Sequence, residues 1–261
     1  MNNYFVVGNA VSTSLSPTIF NYWFKKYKIK ASYGYIEIKN KNFTKEITKV
    51  IKNKETKGLN ITIPYKKQII KHTDILDKHS KKINAVNCIL IGKKIKGINT
   101  DWLGYFNSLP KNINIKNKTI LLVGYGGAAQ AIHYVLRIKG FKKITIFNRT
   151  RRKINFLKKL KYTKSLKTLD RHLGSAGLII NTTPKNLIKK SKKHLVDKNV
   201  LLSDIVYSPK ETEFLKMFPK NKKIYRISML LHQAIPCFKL WFGFSPSVDT
   251  KLIKILDKKI K

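Results

Sequence analysis

The chain has few acidic residues. It contains 13 Asp and Glu against 55 Lys and Arg in 261 residues, so its formal net charge is +42. Such an excess is typical of proteins that bind nucleic acids. The lysines, however, are spread along the whole chain among many Asn and Ile, with no dense arginine stripe and no nucleic-acid fold motif. All three residue types have AT-rich codons, so codon bias explains the charge, and we expect no nucleic-acid partner.

Cysteine and long apolar runs are also scarce. Cys88 and Cys237 are far apart in sequence and lack ligand-type neighbours, which argues against a disulfide framework and favours a reducing compartment. No apolar run approaches the ~18 residues of a membrane helix. The N-terminus lacks the basic and apolar regions of a secretory signal. The six histidines show no metal-ligand spacing. We therefore expect a cytoplasmic protein with no membrane partner and no metal.

Short apolar runs alternate with longer helical segments, which predicts an α/β fold with a mostly parallel sheet. In the first half, strands are expected over 4–8, 32–38 and 58–63 and helices over 16–27 and 43–52, with a hairpin over 85–98. Ser16, just before Pro17, suits the cap of the first helix. From residue 118 a second unit repeats the pattern, with strands over 119–123, 143–147, 178–180 and 200–204 and a helix over 128–139. The end of the chain is predicted helical.

A glycine-rich segment stands between a predicted strand and a predicted helix. It consists of Gly124, Tyr125, Gly126, Gly127 and Ala128. In that position, glycines let the backbone approach a pyrophosphate, which the amides at the helix N-terminus then bind. A tight turn without a ligand is the simpler alternative. The context of strand, loop and helix favours a dinucleotide site.

The residues after the next strand indicate which dinucleotide. An acid there accepts from the ribose of NAD, whereas arginine accommodates the 2′-phosphate of NADP. This chain has no acid but the run Asn148, Arg149, Thr150, Arg151, Arg152 and Lys153. Guanidinium groups pair with phosphate in a bidentate manner. A solvated basic turn is the alternative in so basic a chain, but the pattern favours NADP.

Several polar segments resemble the shikimate dehydrogenase family in both order and spacing. The N-terminal segments are S-x-S-P at 14–17, N-x-T-x-P-x-K at 60–66, A-V-N at 85–87 and N-T-D at 99–101. The glycine loop and Asn148–Arg149–Thr150 also match, as do the later segments at 180–184, 204–207, 211–212 and 232–233. The similarity covers about residues 4–245. Each segment alone is modest, but so many in the same order identify the chain as a member of this family.

The resemblance implies a role for individual residues. Lys66 and Asp101 match the catalytic pair at the reacting oxygen. The matching substrate-binding residues are Ser14, Ser16, Thr62, Lys66, Asn87, Asp101, Tyr207 and Gln233, of which Ser14, Ser16 and Tyr207 hold the carboxylate of the substrate. Ile205 and Arg226 complete the expected cofactor-binding set. The chemistry agrees with these residue types, because hydride arriving at a ketone creates alkoxide character and requires a proton donor.

The resemblance also implies an architecture of two domains. We expect a substrate-binding catalytic domain of mixed or mostly parallel sheet over 1–101 plus 230–261. We expect a Rossmann-like NADP-binding domain over 102–229. The implied reaction is the reversible NADPH-dependent reduction of 3-dehydroshikimate to shikimate, on the way to chorismate and the aromatic amino acids. The sequence does not decide the oligomeric state, and a homodimer is one option.

Four positions depart from the family pattern, and two rival interpretations follow from the sequence. Ile98 stands where the family usually has an acid, and Trp102 where a glycine is usual. Arg226 and Ser228 replace the glycines of a G-x-G segment, which bears on efficiency rather than on family membership. The nearest rival is a quinate/shikimate-type dehydrogenase that uses NAD. The other is a non-catalytic nucleic-acid-binding protein that keeps the scaffold.

Overall fold

The structure, a computed structural model, describes residues 1–111, 118–149, 163–206 and 211–260, and for Asn40 and Arg226 only the backbone. The chain divides into two compact units. Unit 1 comprises Met1–Gly104 and Leu231–Lys259, and unit 2 comprises Tyr105–Leu230 with the last two residues. Within the described ranges, no helix is long and apolar enough to cross a membrane.

Unit 1 contains a mixed six-stranded sheet. Its strands are β1 (Asn2–Gly8), β2 (Ala31–Glu37), β3 (Thr56–Ile61), β4 (Ile75–Leu76), β5 (Cys88–Leu90) and β6 (Lys96–Ile98), in the order β2-β1-β3-β5-β6-β4. β1 pairs in parallel with β2 and β3, whereas β5 is antiparallel to β3 and β6. The β5–β6 pair is the predicted hairpin. A buried core that includes Val7, Leu59 and Ile89 packs on this sheet.

The helices of unit 1 are α1 (Ser16–Lys26), α2 (Phe43–Lys52), α3 (Lys78–Ile83), the start of α4 (Asp101–Ser108), most of α7 (Arg226–Phe242) and α8 (Thr250–Lys259). The prediction that Ser16 caps α1 is wrong. The cap position is Leu15, and no side chain bonds there. Ser16 is instead the first helical residue and is buried, because α1 turns its apolar face, with Phe20 and Trp23, into the core.

Unit 2 contains a parallel six-stranded sheet. Its strands are β7 (Thr119–Val123), β8 (Ile144–Asn148), β9 (Thr163–Ser165), β10 (Ala176–Asn181), β11 (Leu201–Asp204) and β12 (Lys223–Tyr225), with helices α5 (Gly127–Ile138) and α6 (Glu213–Lys216). The order β9-β8-β7-β10-β11-β12 is the 3-2-1-4-5-6 arrangement of dinucleotide-binding folds. Ligands of such sheets bind at the carboxyl edge, where the order reverses beside the first strand. In this unit that strand is β7.

Candidate active site

Lys66 and Asp101 form a buried ion pair in unit 1. The Nζ of Lys66 lies 2.6 Å from Oδ2 of Asp101, and the side chains are only 12% and 6% exposed. Lys66 follows the turn after β3, and Asp101 begins α4 directly after β6. An acid in the first turn suits the positive end of the helix dipole. Two residues that the sequence separates by 35 positions thus meet at one end of the sheet.

The turn that carries Lys66 is anchored by its neighbour Tyr65. The Tyr65 ring is fully buried and stacks on Phe43 at 4.1 Å between centroids, and its hydroxyl donates to the carbonyl of Ile38. On the other side, the amide of Val86 donates to the Lys66 carbonyl at 2.8 Å. Both ends of the turn are therefore held by packed elements, which fixes the direction of the lysine.

Asn87 orients the groups around the pair. Its Oδ1 accepts the backbone N–H of Thr100 at 2.6 Å. A backbone amide can only donate, so the Nδ2 of Asn87 must point the other way. There it donates to Oδ1 of Asp101 at 3.0 Å and to Oε1 of Gln233 at 3.1 Å. Asp101 therefore has both carboxylate oxygens engaged, one by Asn87 and one by Lys66.

A second group of buried polar side chains lies behind these residues, and most of them have no role predicted from the sequence. Tyr33 donates to Oδ1 of Asn60 at 2.7 Å. Asn60 in turn donates to the Asn87 carbonyl at 3.1 Å and to Sγ of Cys237 at 3.2 Å. Burial raises the pKa of Tyr33 well above its usual range, against a hydrogen bond with Ser16. Asn60 belongs to the N-x-T-x-P-x-K segment at 60–66, whereas Tyr33 and Cys237 lie in no motif of the sequence.

Of the predicted carboxylate-binding serines, Ser14 lies in the loop between β1 and α1, and Ser16 is the first residue of α1. The Ser14 amide donates to the Val11 carbonyl at 2.9 Å, and Ser14 Oγ accepts the amide of Ser16 at 3.3 Å. Thr62 lies beside this loop, because the Thr62 amide donates to the Val7 carbonyl at 2.9 Å. Through Tyr33, Ser16 also touches the polar group behind the ion pair. The structure thus brings these predicted residues of unit 1 together; Tyr207 lies outside the described residues.

In unit 2, the glycine loop lies at the carboxyl edge of β7. Gly124 has a φ of +93°, and an added Cβ would overlap the Oγ1 of Thr182. Gly126 is the cap of α5, with no side-chain bond there and nothing within 4 Å of an added Cβ. The first amides of α5 are therefore not capped by a side chain at Gly126. Such a helix end attracts phosphate.

Asn148 and Arg149 lie at the carboxyl end of β8, next to the strand that leads into the glycine loop. Among the described residues, the Nδ2 of Asn148 is buried without a hydrogen-bond partner, which is costly unless another group accepts from it. The Arg149 side chain is exposed. Of the remaining predicted cofactor residues, Thr150, Arg151, Arg152 and Lys153 lie outside the described residues, as does the Arg226 side chain.

Ile205 follows β11 at the same edge, and a buried acid orders its surroundings. The amide of Ile205 donates to the Asn181 carbonyl at 3.1 Å. Asp204, 2% exposed, accepts from Thr212 at 2.7 Å and from Asn181 Nδ2 at 3.2 Å. The segment at 204–207 was matched from the sequence, but this hydrogen-bond network was not predicted. The only sign of the network in the sequence is that two otherwise apolar strands end in the polar residues Asn181 and Asp204.

Trp102, one of the departures from the family pattern, stacks on His79 of α3 with ring centroids 4.4 Å apart. It is therefore packed against a neighbouring helix of unit 1 and gives the first turn of α4 an aromatic anchor one residue after Asp101.

Comparison with known proteins agrees with this arrangement. Residues 6–89 match the family model described as the shikimate dehydrogenase substrate binding domain, and residues 108–213 match the model described as shikimate / quinate 5-dehydrogenase. The NADP(+) shikimate dehydrogenase of Pelagibacter ubique is 35% identical over 97% of this chain and 98% of that protein. The Clostridium beijerinckii enzyme is 37% identical over 92% of each.

Solved structures give the same result. The shikimate dehydrogenase of Aquifex aeolicus superimposes with a TM-score of 0.86 at 30% identity, covering 100% of this chain and 98% of that one. A shikimate dehydrogenase solved in complex with NADP+ gives 0.85 at 30% identity, with 100% and 96% covered. The predicted family and the predicted α/β fold are confirmed, and the chain belongs to the shikimate dehydrogenase family.

Proposed function

We propose that the chain performs the reaction of its family, the reversible NADPH-dependent reduction of 3-dehydroshikimate to shikimate, at the Lys66–Asp101 pair. The family makes the chain an NADP-dependent oxidoreductase that acts on a CH–OH group. The observation that carries the assignment to this pair is the 2.6 Å contact between two buried charges. A buried ion pair often stabilises a protein no more than apolar residues of the same volume would, so its presence among hydrogen-bonded polar side chains points to chemistry.

Lys66 acts as the proton donor in this proposal. NADPH would supply the hydride when bound. As the ketone carbon is reduced, the Lys66 ammonium gives a proton to the developing alkoxide and takes one back in the reverse direction. Asp101 holds the ammonium in place through Oδ2 and is itself held through Oδ1 by Asn87. The three side chains therefore act as one positioned unit.

Polar side chains around the pair bind the hydroxyls and the carboxylate of the substrate. Gln233 accepts a hydrogen bond from Asn87 through its Oε1 and so lies directly beside the ion pair. Thr62, Asn87 and Gln233 would bind the ring hydroxyls. Ser14, Ser16 and Tyr207 would bind the carboxylate, near the start of α1, where the helix dipole favours negative charge.

Unit 2 would hold NADP at the carboxyl edge of its sheet. The glycine loop fits a pyrophosphate, because the α5 amides lack a side-chain cap. The Asn148 amide, which has no partner among residues 118–149, and the exposed Arg149 fit the ribose 2′-phosphate, together with Thr150, Arg151, Arg152 and Lys153. The cofactor-binding set is completed by Tyr125, Gly127, Ala128, Ile205 and Arg226.

In this proposal the catalytic domain corresponds to 1–101 plus 230–261 and the cofactor domain to 102–229. We place the enzyme in the cytoplasm and leave its assembly as a homodimer to a solution measurement.

The reaction is tested with purified protein, shikimate and NADP+, following the absorbance of NADPH. We expect NADPH to form and 3-dehydroshikimate to accumulate, with quinate oxidised much more slowly. The ratio of kcat/KM for NADPH to that for NADH should exceed about 10, since one bidentate charged contact is worth roughly 1.5–3 kcal/mol. Retention of DNA at physiological salt without any NADPH formation would contradict the proposal.

A further inference from the structure

Glu37, at the end of β2, makes two hydrogen bonds to a loop far from it in sequence. Its Oε1 accepts the backbone amides of Val11 and Ser12 at 2.8 and 2.9 Å. The chain has only 13 acidic residues. One of these few carboxylates therefore connects β2 to the loop that follows β1.

The loop held in this way is the one that presents Ser14 and Ser16. Apart from Glu37, it is tied by the Asn9 amide to the Ile63 carbonyl at 3.2 Å and by its own turn at Ser14. Val11 is buried, whereas Ser12 is exposed. The exposed middle of the loop, at Ser12, would therefore depend on Glu37 for a fixed position. Two amides on one charged acceptor form a stronger and more directional tie than bonds to water.

We propose that Glu37 is a positioning residue for substrate binding, which holds the 9–15 loop so that Ser14 and Ser16 face the substrate carboxylate. The inference rests on the proposed function, because it takes the carboxylate of shikimate as the ligand of those serines. Glu37 does not touch the substrate in this proposal. It acts only through the loop, so its loss weakens ground-state binding and leaves the proton transfer intact.

The carboxylate is ionised under ordinary assay conditions. Hydrogen bonds from the backbone amides of Ser12 and Val11 lower the pKa of Glu37 below its usual value. A lowered pKa means that the contribution of this group is present above the ordinary carboxyl range and is lost only as the pH falls through the lowered value. The tie is therefore intact at neutral pH.

The test measures kcat, KM for shikimate and KM for NADP+ in three variants beside the unaltered protein. Glu37→Ala removes both bonds and should raise KM for shikimate by about tenfold while kcat stays within about twofold. Glu37→Gln keeps an oxygen that accepts both amides and should restore KM to within about threefold. Glu46→Ala removes the same charge from α2 in the same unit and should change neither value.

The outcomes separate this inference from the proposed function. If the unaltered protein does not oxidise shikimate, the proposed function fails. If it does, and Glu37→Ala leaves KM for shikimate unchanged or lowers kcat instead, the positioning role is wrong. An equal rise in KM for NADP+ would also overturn it, because a general loss of structure affects both ligands. Failure of Glu37→Gln to rescue would show that charge, and not the two accepted amides, matters.

Discussion

At the scale of single residues, the site is organised by one unambiguous hydrogen bond. The Thr100 amide can only donate, so its 2.6 Å bond to Asn87 fixes which end of that side chain is oxygen. The donor and acceptor roles in the neighbouring hydrogen bonds follow, because the Nδ2 of Asn87 must then donate to both Asp101 and Gln233. The sequence predicted that these residues belong to one site, but it did not predict which atoms of each are left for the substrate.

Replacing Asn87 with aspartate tests this arrangement. The change keeps the shape and the Thr100 bond but places an acceptor 3.0 Å from an Asp101 oxygen. We expect kcat/KM for shikimate to fall at least tenfold, because like charges at this distance raise each other's pKa and weaken the hold on Lys66. The free energy of unfolding should fall by about 1–3 kcal/mol. Steady-state kinetics and urea unfolding measure the two effects.

Asn221→Asp is the matched control in unit 2. The Asn221 amide donates to the carbonyls of Asp197 and Val200 at 2.9 and 2.8 Å and is equally buried. This variant should lose similar stability and keep its kcat/KM. If both variants lose activity alike, the effect of Asn87→Asp is one of stability, and the orienting role is wrong.

At the scale of elements, the connection from β7 through the glycine loop to α5 depends on the backbone at Gly124. Its φ of +93° is strained for any residue with a Cβ, and the added atom would overlap Thr182. We expect Gly124→Ala to cost about 1–3 kcal/mol of stability and to raise KM for NADP+ severalfold. Thermal unfolding and kinetics with varied NADP+ report the two quantities.

Gly140→Ala serves as the control for this loop. Gly140 follows α5 with a φ of +84° but has nothing within 4 Å of an added Cβ. The variant should lose about 1 kcal/mol from the same backbone strain and bind NADP+ normally. A normal KM for NADP+ in Gly124→Ala would remove the glycine loop from the cofactor site.

The contact between Tyr125 and His133 links the same loop to α5 and predicts a pH dependence of stability. The Tyr125 hydroxyl lies 2.9 Å from the Nδ1 of His133, and burial, with a smaller effect of Arg137, lowers the pKa of His133 to about 4. The unfolded state therefore binds a proton at a higher pH than the folded state. Stability should fall as the pH drops from about 6.5 to about 4.

Thermal unfolding at several pH values measures this fall. His133→Gln should make stability less dependent on pH. His194→Gln, a change at an exposed histidine, should leave the pH dependence as in the unaltered protein. An equally steep loss of stability in His133→Gln would show that other groups cause the pH dependence.

Long elements of strong periodicity were predictable from the sequence, and short ones were not. The strand at 119–123 and the helix at 43–52 are found with the predicted bounds, because the first is a continuous apolar run and the second has apolar residues at helical spacing. The two-residue β4 and the six-residue α3 were missed. Pairing with β6 defines β4, and α3 is too short for a clear periodicity, although Asp77 caps it. Ser16 was misassigned as a cap because a serine before a proline fits both the cap and the first helical position.

At the scale of the whole molecule, the net charge of +42 should limit stability through self-repulsion. Screening shortens the range of surface charges from ~30 Å at 0.01 M salt to ~8 Å at 0.15 M. We expect Tm to rise over this range; a gain of about 2 kcal/mol corresponds to about 4–8 °C for a chain of this size. Differential scanning calorimetry in NaCl, with sucrose at equal osmolality as the control, measures it. A constant or falling Tm in NaCl would contradict the expectation.

The family was predictable from the sequence because its polar motifs keep their order, whereas their convergence needed the fold. Lys66 is one lysine among many, and only the structure brings it to Asp101 beneath Asn87. The excess of lysine, the strongest compositional signal, pointed toward nucleic acid and not toward this site. Composition describes the surface here, and the chemistry depends on a few buried contacts.

The most direct test of the account is the steady-state oxidation of shikimate by Lys66→Ala, with Lys67→Ala as the neighbouring control. We predict that kcat falls by about 10²–10⁴-fold in Lys66→Ala, with KM for shikimate changed only slightly, and that Lys67→Ala resembles the unaltered enzyme. An unchanged kcat in Lys66→Ala would show that the proton comes from elsewhere and would contradict the assignment of the Lys66–Asp101 pair.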